Sequence, residues 1–228
     1  MKWNKLFFIL FITSIAYGQY DVANVGNSGI VLNNSRLLFV SQEGSVFNGD
    51  SPYLLDNWDS KGYLTTKDES NLSIVGINYD IKNNAFVVKI AKDSIYMFDD
   101  AKFKEVLMEG RRFKPYNNVG DIESSKALYL EVLGTCSKVE ILRYHGKKLK
   151  FGKKDLRTGV LSPDRYVDFN KTFSKKGDVI EEIKLNKKQF SQVFEDKAKS
   201  IDEFISNNKL SLKSEENIQK ILNYYMTL

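Results

Sequence analysis

The chain of 228 residues has one histidine and one cysteine, and this scarcity excludes more chemistry than any motif suggests. One His and one Cys cannot assemble the His/Cys ligand sets of ordinary zinc sites. With Cys136 as its sole cysteine the chain has no internal disulfide. In an oxidising compartment it must then rely on an ordinary hydrophobic core, which a chain of this length can bury. No phosphate-binding glycine loop, dinucleotide fingerprint or Gly-x-Ser-x-Gly nucleophile elbow occurs. Asp56, Asp59 and Gly62 depart from the Asp-x-Asp-x-Asp-Gly spacing that bends oxygen ligands around calcium. No metal or cofactor is therefore expected. The few prolines, Pro52, Pro115 and Pro163, all read as loop positions. The formal net charge of +5 is too mild for a dedicated nucleic-acid binder.

What is present begins with an export pattern. Lys2 and Lys5 precede an unbroken apolar run from Leu6 to Ile12, and Ala16-Tyr17-Gly18 then places small residues at the two positions that a signal peptidase reads. The run is too short to span a bilayer, which takes about 20 residues. Residues 1–18 are thus expected to be a cleaved signal peptide, leaving Gln19 as the new N-terminus. No cysteine follows to carry a lipid anchor, and no later stretch reads as a transmembrane helix. The expected location is the periplasm or the medium, without lipid attachment.

Residues 19–61 read as an N-terminal arm and loop, rich in Asn, Gly and Ser as far as Asn34, with a possible first strand at 36–41. Residues 62–185 read as β. Tyr63 to Thr66, Leu72 to Ile81, Phe86 to Ile90 and Ile95 to Phe98 are separated by polar turns, as in an antiparallel meander. Phe86, Val88 and Ile90 alternate with Val87 and Lys89, the period of a strand with one more deeply buried face. Two hairpins follow, 128–133 with 138–144 and 166–173 with 179–185. From 186 the period changes. Phe190, Val193 and Phe194, then Ile201, Phe204 and Ile205, then Ile218, Ile221, Leu222 and Tyr225 follow helical spacing. Asn186 and Ser214 are candidate N-caps, and Glu215 and Glu216 suit the first turn of the last helix. The expected fold is α+β: antiparallel meander and hairpin sheets, then a C-terminal bundle of about three amphipathic helices packed on the sheet over 186–228.

Cys136 and His145 invite comparison with a thiol hydrolase. Cys136 falls at the tip of a predicted hairpin and His145 at the far end of its returning strand, a separation of about 25 Å at roughly 3.3 Å per residue. A nucleophile and its base need about 3 Å. That leaves an exposed turn histidine and a bystander thiol. Asp99-Asp100 is a carboxylate pair by adjacency only, since neighbours on a strand point to opposite faces.

The densest charged feature lies between the two hairpins: Lys147, Lys148, Lys150, Lys153, Lys154 and Arg157, with Tyr144 and Phe151 interleaved and only Asp155 opposing. Such a stretch suits an anionic partner, such as a lipid headgroup or an acidic glycan. It equally suits a solvated strand edge, where lysines block edge-to-edge aggregation. Tyr53 and Trp58 form either an aromatic glycan platform or a plug for a sheet end.

The segment Gly49-Asp-Ser-Pro-Tyr-Leu-Leu-Asp-Asn-Trp-Asp-Ser-Lys-Gly62 resembles a Gly-Ser/Thr-Pro-Tyr-Leu…Trp…Gly pattern of exported, signal-peptide-bearing proteins of Bacteroidota, with Asp50 inserted before Ser51. The later Tyr129-Leu-Glu-Val-Leu133 hairpin and the Phe190…Tyr225 tail are similar in style. The resemblance implies an envelope location and carries over no catalytic residue. It also makes Asp93-Ser94-Ile95 similar to the triad that such bacteria O-glycosylate. Three functions remain open at this level: a non-enzymatic envelope-associated binding or structural domain, an Asp/Glu-dependent glycan hydrolase, and an anionic-surface binder acting through residues 147–157. The partner is expected to be an envelope protein, an acidic glycan or an anionic lipid, and not nucleic acid.

Overall fold

Gly76 divides what reads in sequence as one strand, and that division organises the molecule. The computed structural model describes residues 51–91, 94–98 and 103–228, together with the backbone of β1 (Val31–Leu32), β2 (Arg36–Leu37) and β3 (Phe39–Val40). The expected signal peptide, most of the arm, Asp93 and the Asp99-Asp100 pair lie outside the described residues. β5 (Asn71–Val75) and β6 (Ile77–Asp80) flank Gly76, whose φ of 80° suits glycine. Its amide donates to the Ser60 carbonyl, and its own carbonyl accepts from Lys89. A Cβ here would meet the Lys89 carbonyl oxygen at 2.9 Å. The chain therefore turns out of one sheet and into another at this residue, and the expected meander is shared between two sheets.

The first sheet has eight strands in the order β14-β13-β12-β11-β10-β9-β4-β5, every pair antiparallel. Its other members are β4 (Lys61–Thr66), β9 (Phe103–Met108), β10 (Arg111–Tyr116), β11 (Leu128–Thr135), β12 (Glu140–Lys150), β13 (Arg165–Lys176) and β14 (Val179–Ile183). The second sheet runs β3-β8-β7-β6, with β7 (Ala85–Ala91) and β8 (Ser94–Phe98). The two sheets close on each other as a sandwich. Leu64, Ile74, Val106 and Phe113 of the long sheet share one core with Ile77, Tyr79, Phe86 and Val88 of the short one. In β7, Phe86 and Val88 are buried on one face, and on the other Val87 is buried and Lys89 half-buried.

The hairpin of β9 and β10 is not evident in the sequence, and it places Pro115 inside a strand instead of the expected loop. Proline is tolerated there because β9 pairs only with Arg111–Phe113. Beyond Phe113, β10 has a neighbour on one side alone, β11, and a missing amide on the open side breaks no ladder.

The three helices are α1 (Lys187–Gln192), α2 (Ala198–Asn207) and α3 (Glu215–Tyr225). The Asn186 side chain accepts from the Gln189 amide at 2.9 Å and that of Ser214 from the Asn217 amide at 3.3 Å, so both expected caps form. α1 ends at Gln192, and a 3-10 turn over Glu195–Lys197, whose first residue has a φ of 51°, leads into α2. Ile218, Ile221 and Leu222 of α3 pack with Ile201, Phe190, Leu133 and Ile141. Each fully buried aliphatic side chain of this kind stabilises the fold by about 1.5–3 kcal/mol. Gln219 adds a polar tie, accepting from the Thr135 amide at 3.0 Å and donating to the Thr135 carbonyl at 2.9 Å. The fold is therefore α+β, with antiparallel sheets followed by helices that cover part of one sheet face.

Candidate functional site

Side chains alternate along β11, and three on one face mark three environments. Tyr129 enters the core between the sheets, Leu133 enters the helical core, and Glu131 lies between them. Glu131 is fully buried. Arg111 on β10 grips it with a fork, Nε donating to Oε1 at 2.6 Å and Nη2 to Oε2 at 2.9 Å. Arg143 on β12 donates from Nη1 to Oε2 at 3.2 Å, and the same nitrogen lies 3.5 Å from Glu215 at the start of α3. His145 Nε2 is 2.7 Å from Glu131 Oε2 and 3.1 Å from Arg111 Nη2. A guanidinium can only donate, and so can the imidazole toward a carboxylate. The Nε2 proton therefore belongs to the Glu131 contact.

His145 is thus corrected from an exposed turn residue to a buried one, five places into β12. Its ring lies edge-on to Tyr79 and tilted against Phe113. Cys136 sits in the turn after β11, as expected, and is half-buried there against the helical core. Burial drives the Glu131 carboxyl upward, but hydrogen bonds from His145 and Arg111 outweigh it and hold the group at about 2. Sequence reading missed this cluster because its members are scattered over three strands. The one available signal was the acid at Glu131 within an otherwise apolar strand.

The basic stretch is a different kind of place. β12 does not stop at Tyr144 but pairs with β13 through to Lys150, opposite Arg165. β11 contacts β12 only as far as Arg143, and β14 contacts β13 only from Thr172. From Tyr144 and Lys171 outward the two strands pair only with each other, as a ribbon; His145 and Gly146 are still buried against the body, and from Lys148 onward β12 is exposed. Near its base Phe169 lies opposite Gly146, where a Cβ would meet its ring at 2.4 Å. Tyr144 and Lys148 also contact that ring, with Lys148 Nζ 6.0 Å from the centroid.

The strand period separates the lysines. Lys147 points to the face opposite Lys148, is nearly covered, and pairs with Asp168 at 2.6 Å. Lys150, Lys153, Lys154 and Arg157 lie outward of it and are exposed. Together with Arg165 they form no ion pair among the described residues. The tip is itself a small ordered hairpin. Ser162 donates its amide to the Lys153 carbonyl, and Asp155 donates its amide to the Val160 carbonyl. The Asp155 carboxylate accepts from the amides of Thr158 and Arg157, which hold its pKa below the ordinary range. The Asp164 carboxylate accepts from the Gly152 amide at 2.7 Å. Both acids of the tip are thus used in shaping its backbone.

Apolar side chains share this tip. Leu149, Phe151, Leu156, Val160 and Leu161 are all exposed, and Leu156 at the apex is 99% so.

Tyr53 and Trp58 lie on a segment that runs beside β6, the outer strand of the short sheet, where Tyr53 makes a β-bridge with Asp80. Their rings meet edge to face at 4.7 Å, and Lys89 Nζ stands 5.6 Å from the Trp58 ring centroid. The intervening Leu54 and Leu55 pack onto the core, and Asn78 holds the segment by hydrogen bonds to Leu55 and Asn57. On the far face of the long sheet, the 117–127 connection lays Val119 and Ile122 over Leu130, Leu142 and Phe173. A depression there is lined by residues that include Tyr116, Asn118, Glu123 and Lys126. Glu123 is the one carboxylate in it.

No protein-family model, curated protein or solved structure matches this chain.

Proposed function

We propose that this chain is a non-enzymatic exported domain that binds an anionic surface of the cell envelope through the outer end of the β12–β13 ribbon. One observation carries the reading: five cations without ion-pair partners among the described residues, Lys150, Lys153, Lys154, Arg157 and Arg165, stand on an ordered hairpin beyond the sheet. Charges gathered at a projecting tip meet a charged surface before the body of the protein does, and they add as a local field. Two features favour binding over hydrolysis. The histidine and the buried carboxylate engage each other and two arginines, and the open depression holds one carboxylate where glycoside hydrolysis uses two. The export pattern at residues 1–18 supplies the compartment.

The test has two parts. Cell fractionation with N-terminal sequencing is expected to recover the protein outside the cytoplasm, beginning at Gln19. Recovery of the uncleaved chain in the cytoplasm would remove the envelope reading. The exported protein is then sedimented with vesicles of phosphatidylglycerol and phosphatidylcholine, and separately mixed with polygalacturonate as an acidic glycan. Binding to at least one is expected to weaken as salt rises. The Lys153→Glu/Lys154→Glu pair should reduce it about 30-fold, at roughly 1 kcal/mol or more for each altered charge. Binding indifferent to both salt and substitution overturns the proposal.

A further inference from the structure

The apolar side chains on the same tip permit a more specific statement, which rests on the anionic-surface reading above. We infer that the ribbon tip is a membrane-inserting wedge: Phe151, Leu156, Val160 and Leu161 enter the acyl boundary of an anionic bilayer while the surrounding lysines and arginines stay among the headgroups.

Three observations lead there. The first is placement. Leu156 is 99% exposed, Phe151 70%, Leu161 69% and Val160 64%, all within one hairpin at the far end of the ribbon. Single exposed apolar residues are ordinary on protein surfaces, whereas a cluster ringed by polar groups marks an interaction site. The second is order. The tip ladder between Lys153 and Ser162, the Asp155 turn and the Asp164 contact hold these side chains outward in a defined backbone. Little conformational freedom is then lost when the tip engages a surface.

The third observation is the mixture of chemistries, which selects among anionic partners. A polyanionic glycan is recognised by cations and by flat aromatic faces. It would leave Leu156, Val160 and Leu161 in water. A bilayer offers both surfaces at once, phosphates for the cations and hydrocarbon a few ångströms deeper for the aliphatic groups. Lysines suit that boundary because their stems lie along apolar surface while their ammonium groups remain hydrated. Lys150, Lys153 and Lys154 neighbour the apolar residues in this way along the chain.

The experiment places a probe at the apex of the exported protein. An environment-sensitive NBD fluorophore is attached to Leu156→Cys in a Cys136→Ser background. A second protein carries it at Val75→Cys, an exposed site on β5 at the other edge of the long sheet. Both are titrated with phosphatidylglycerol/phosphatidylcholine vesicles, with phosphatidylcholine vesicles and with polygalacturonate. The expected result is a blue shift and brightening at position 156 on the anionic vesicles alone, quenched by acyl-chain spin-labelled lipid, and no change at position 75. Leu156→Asp/Val160→Asp should weaken vesicle binding at least about tenfold while the thermal unfolding curve is unchanged, because both side chains are exposed.

Vesicle binding with position 156 still in water overturns insertion and leaves surface binding standing. Binding to polygalacturonate but not to vesicles does the same. Failure to bind either overturns both readings.

Discussion

His145 Nε2 and Glu131 Oε2 stand 2.7 Å apart at the seam where the sandwich core meets the helical layer. Arg111 reaches this carboxylate from the sandwich side, and Arg143 links it onward to Glu215 at the N-terminus of α3. Removing a single member of such a cluster leaves its partners uncompensated. Glu131→Ala is expected to destabilise the fold by about 3 kcal/mol, read as a lower midpoint in urea. His145→Phe should cost less, since both arginines would still hold the carboxylate. If Glu131→Ala unfolds at the parent's midpoint, the cluster contributes nothing to stability.

The same carboxylate sets a pH dependence. Its folded pKa of about 2 lies below its ordinary 4.5. A depressed pKa means that the contribution is fully present above pH 4.5 and is lost as pH falls from there toward 2. The loss amounts to about 3 kcal/mol. Urea unfolding at pH 5.5 and at pH 2.5 is expected to show a steeper fall for the parent than for Glu131→Gln, which has no proton to gain. Equal falls in the two proteins would contradict this assignment.

Gly76 is predicted to be intolerant of any side chain. Alanine there needs a left-handed backbone and brings its Cβ to 2.9 Å from the Lys89 carbonyl oxygen. The backbone alone costs about 1–2 kcal/mol, and the close contact adds to that. Gly76→Ala should lower the unfolding midpoint by more than Gly110→Ala, a position of similar φ with nothing within 4 Å.

The ribbon lysines should separate by role. Lys147→Glu places a carboxylate against Asp168 on a nearly covered face and is expected to lower stability. Lys153→Glu should leave the unfolding midpoint within about 0.5 kcal/mol of the parent and act on anion binding instead. Equal stability effects would show that the pairing of the covered Lys147 with Asp168 contributes nothing to stability.

Ser214→Ala removes the cap of α3 and should cost about 1 kcal/mol. Protection of α3 amides against hydrogen exchange is expected to fall more than that of β12.

Where neighbours in sequence decide the outcome, the chain was legible. The change from period two to period 3.6 near residue 186 and the caps at Asn186 and Ser214 are local and formed where expected, and the two hairpin turns, at 136–139 and 177–178, fell within two residues of the gaps read between the strands. The path of Leu72–Ile81 was not legible. A glycine in a strand pattern reads as a local irregularity, and only its hydrogen bonds to Ser60 and Lys89 show that it passes the chain between sheets. Pro115 misled for a similar reason, since proline argues against a strand unless one side of that strand is open. The basic stretch was visible as a composition. That Lys147 faces away from its neighbours, and that apolar side chains crown the same tip, depends on the register of β12 against β13.

By itself the sequence determined the α+β class, the helical tail, the lack of an internal disulfide and the expectation of export, because each rests on composition or short-range pattern. Tertiary structure alone decided that one acid, one histidine and two arginines from three strands share a single buried contact. It also decided that a run of lysines becomes the outer end of a ribbon. Strand pairing brings together residues far apart in the chain, and hydrophobic pattern does not encode which strand lies beside which.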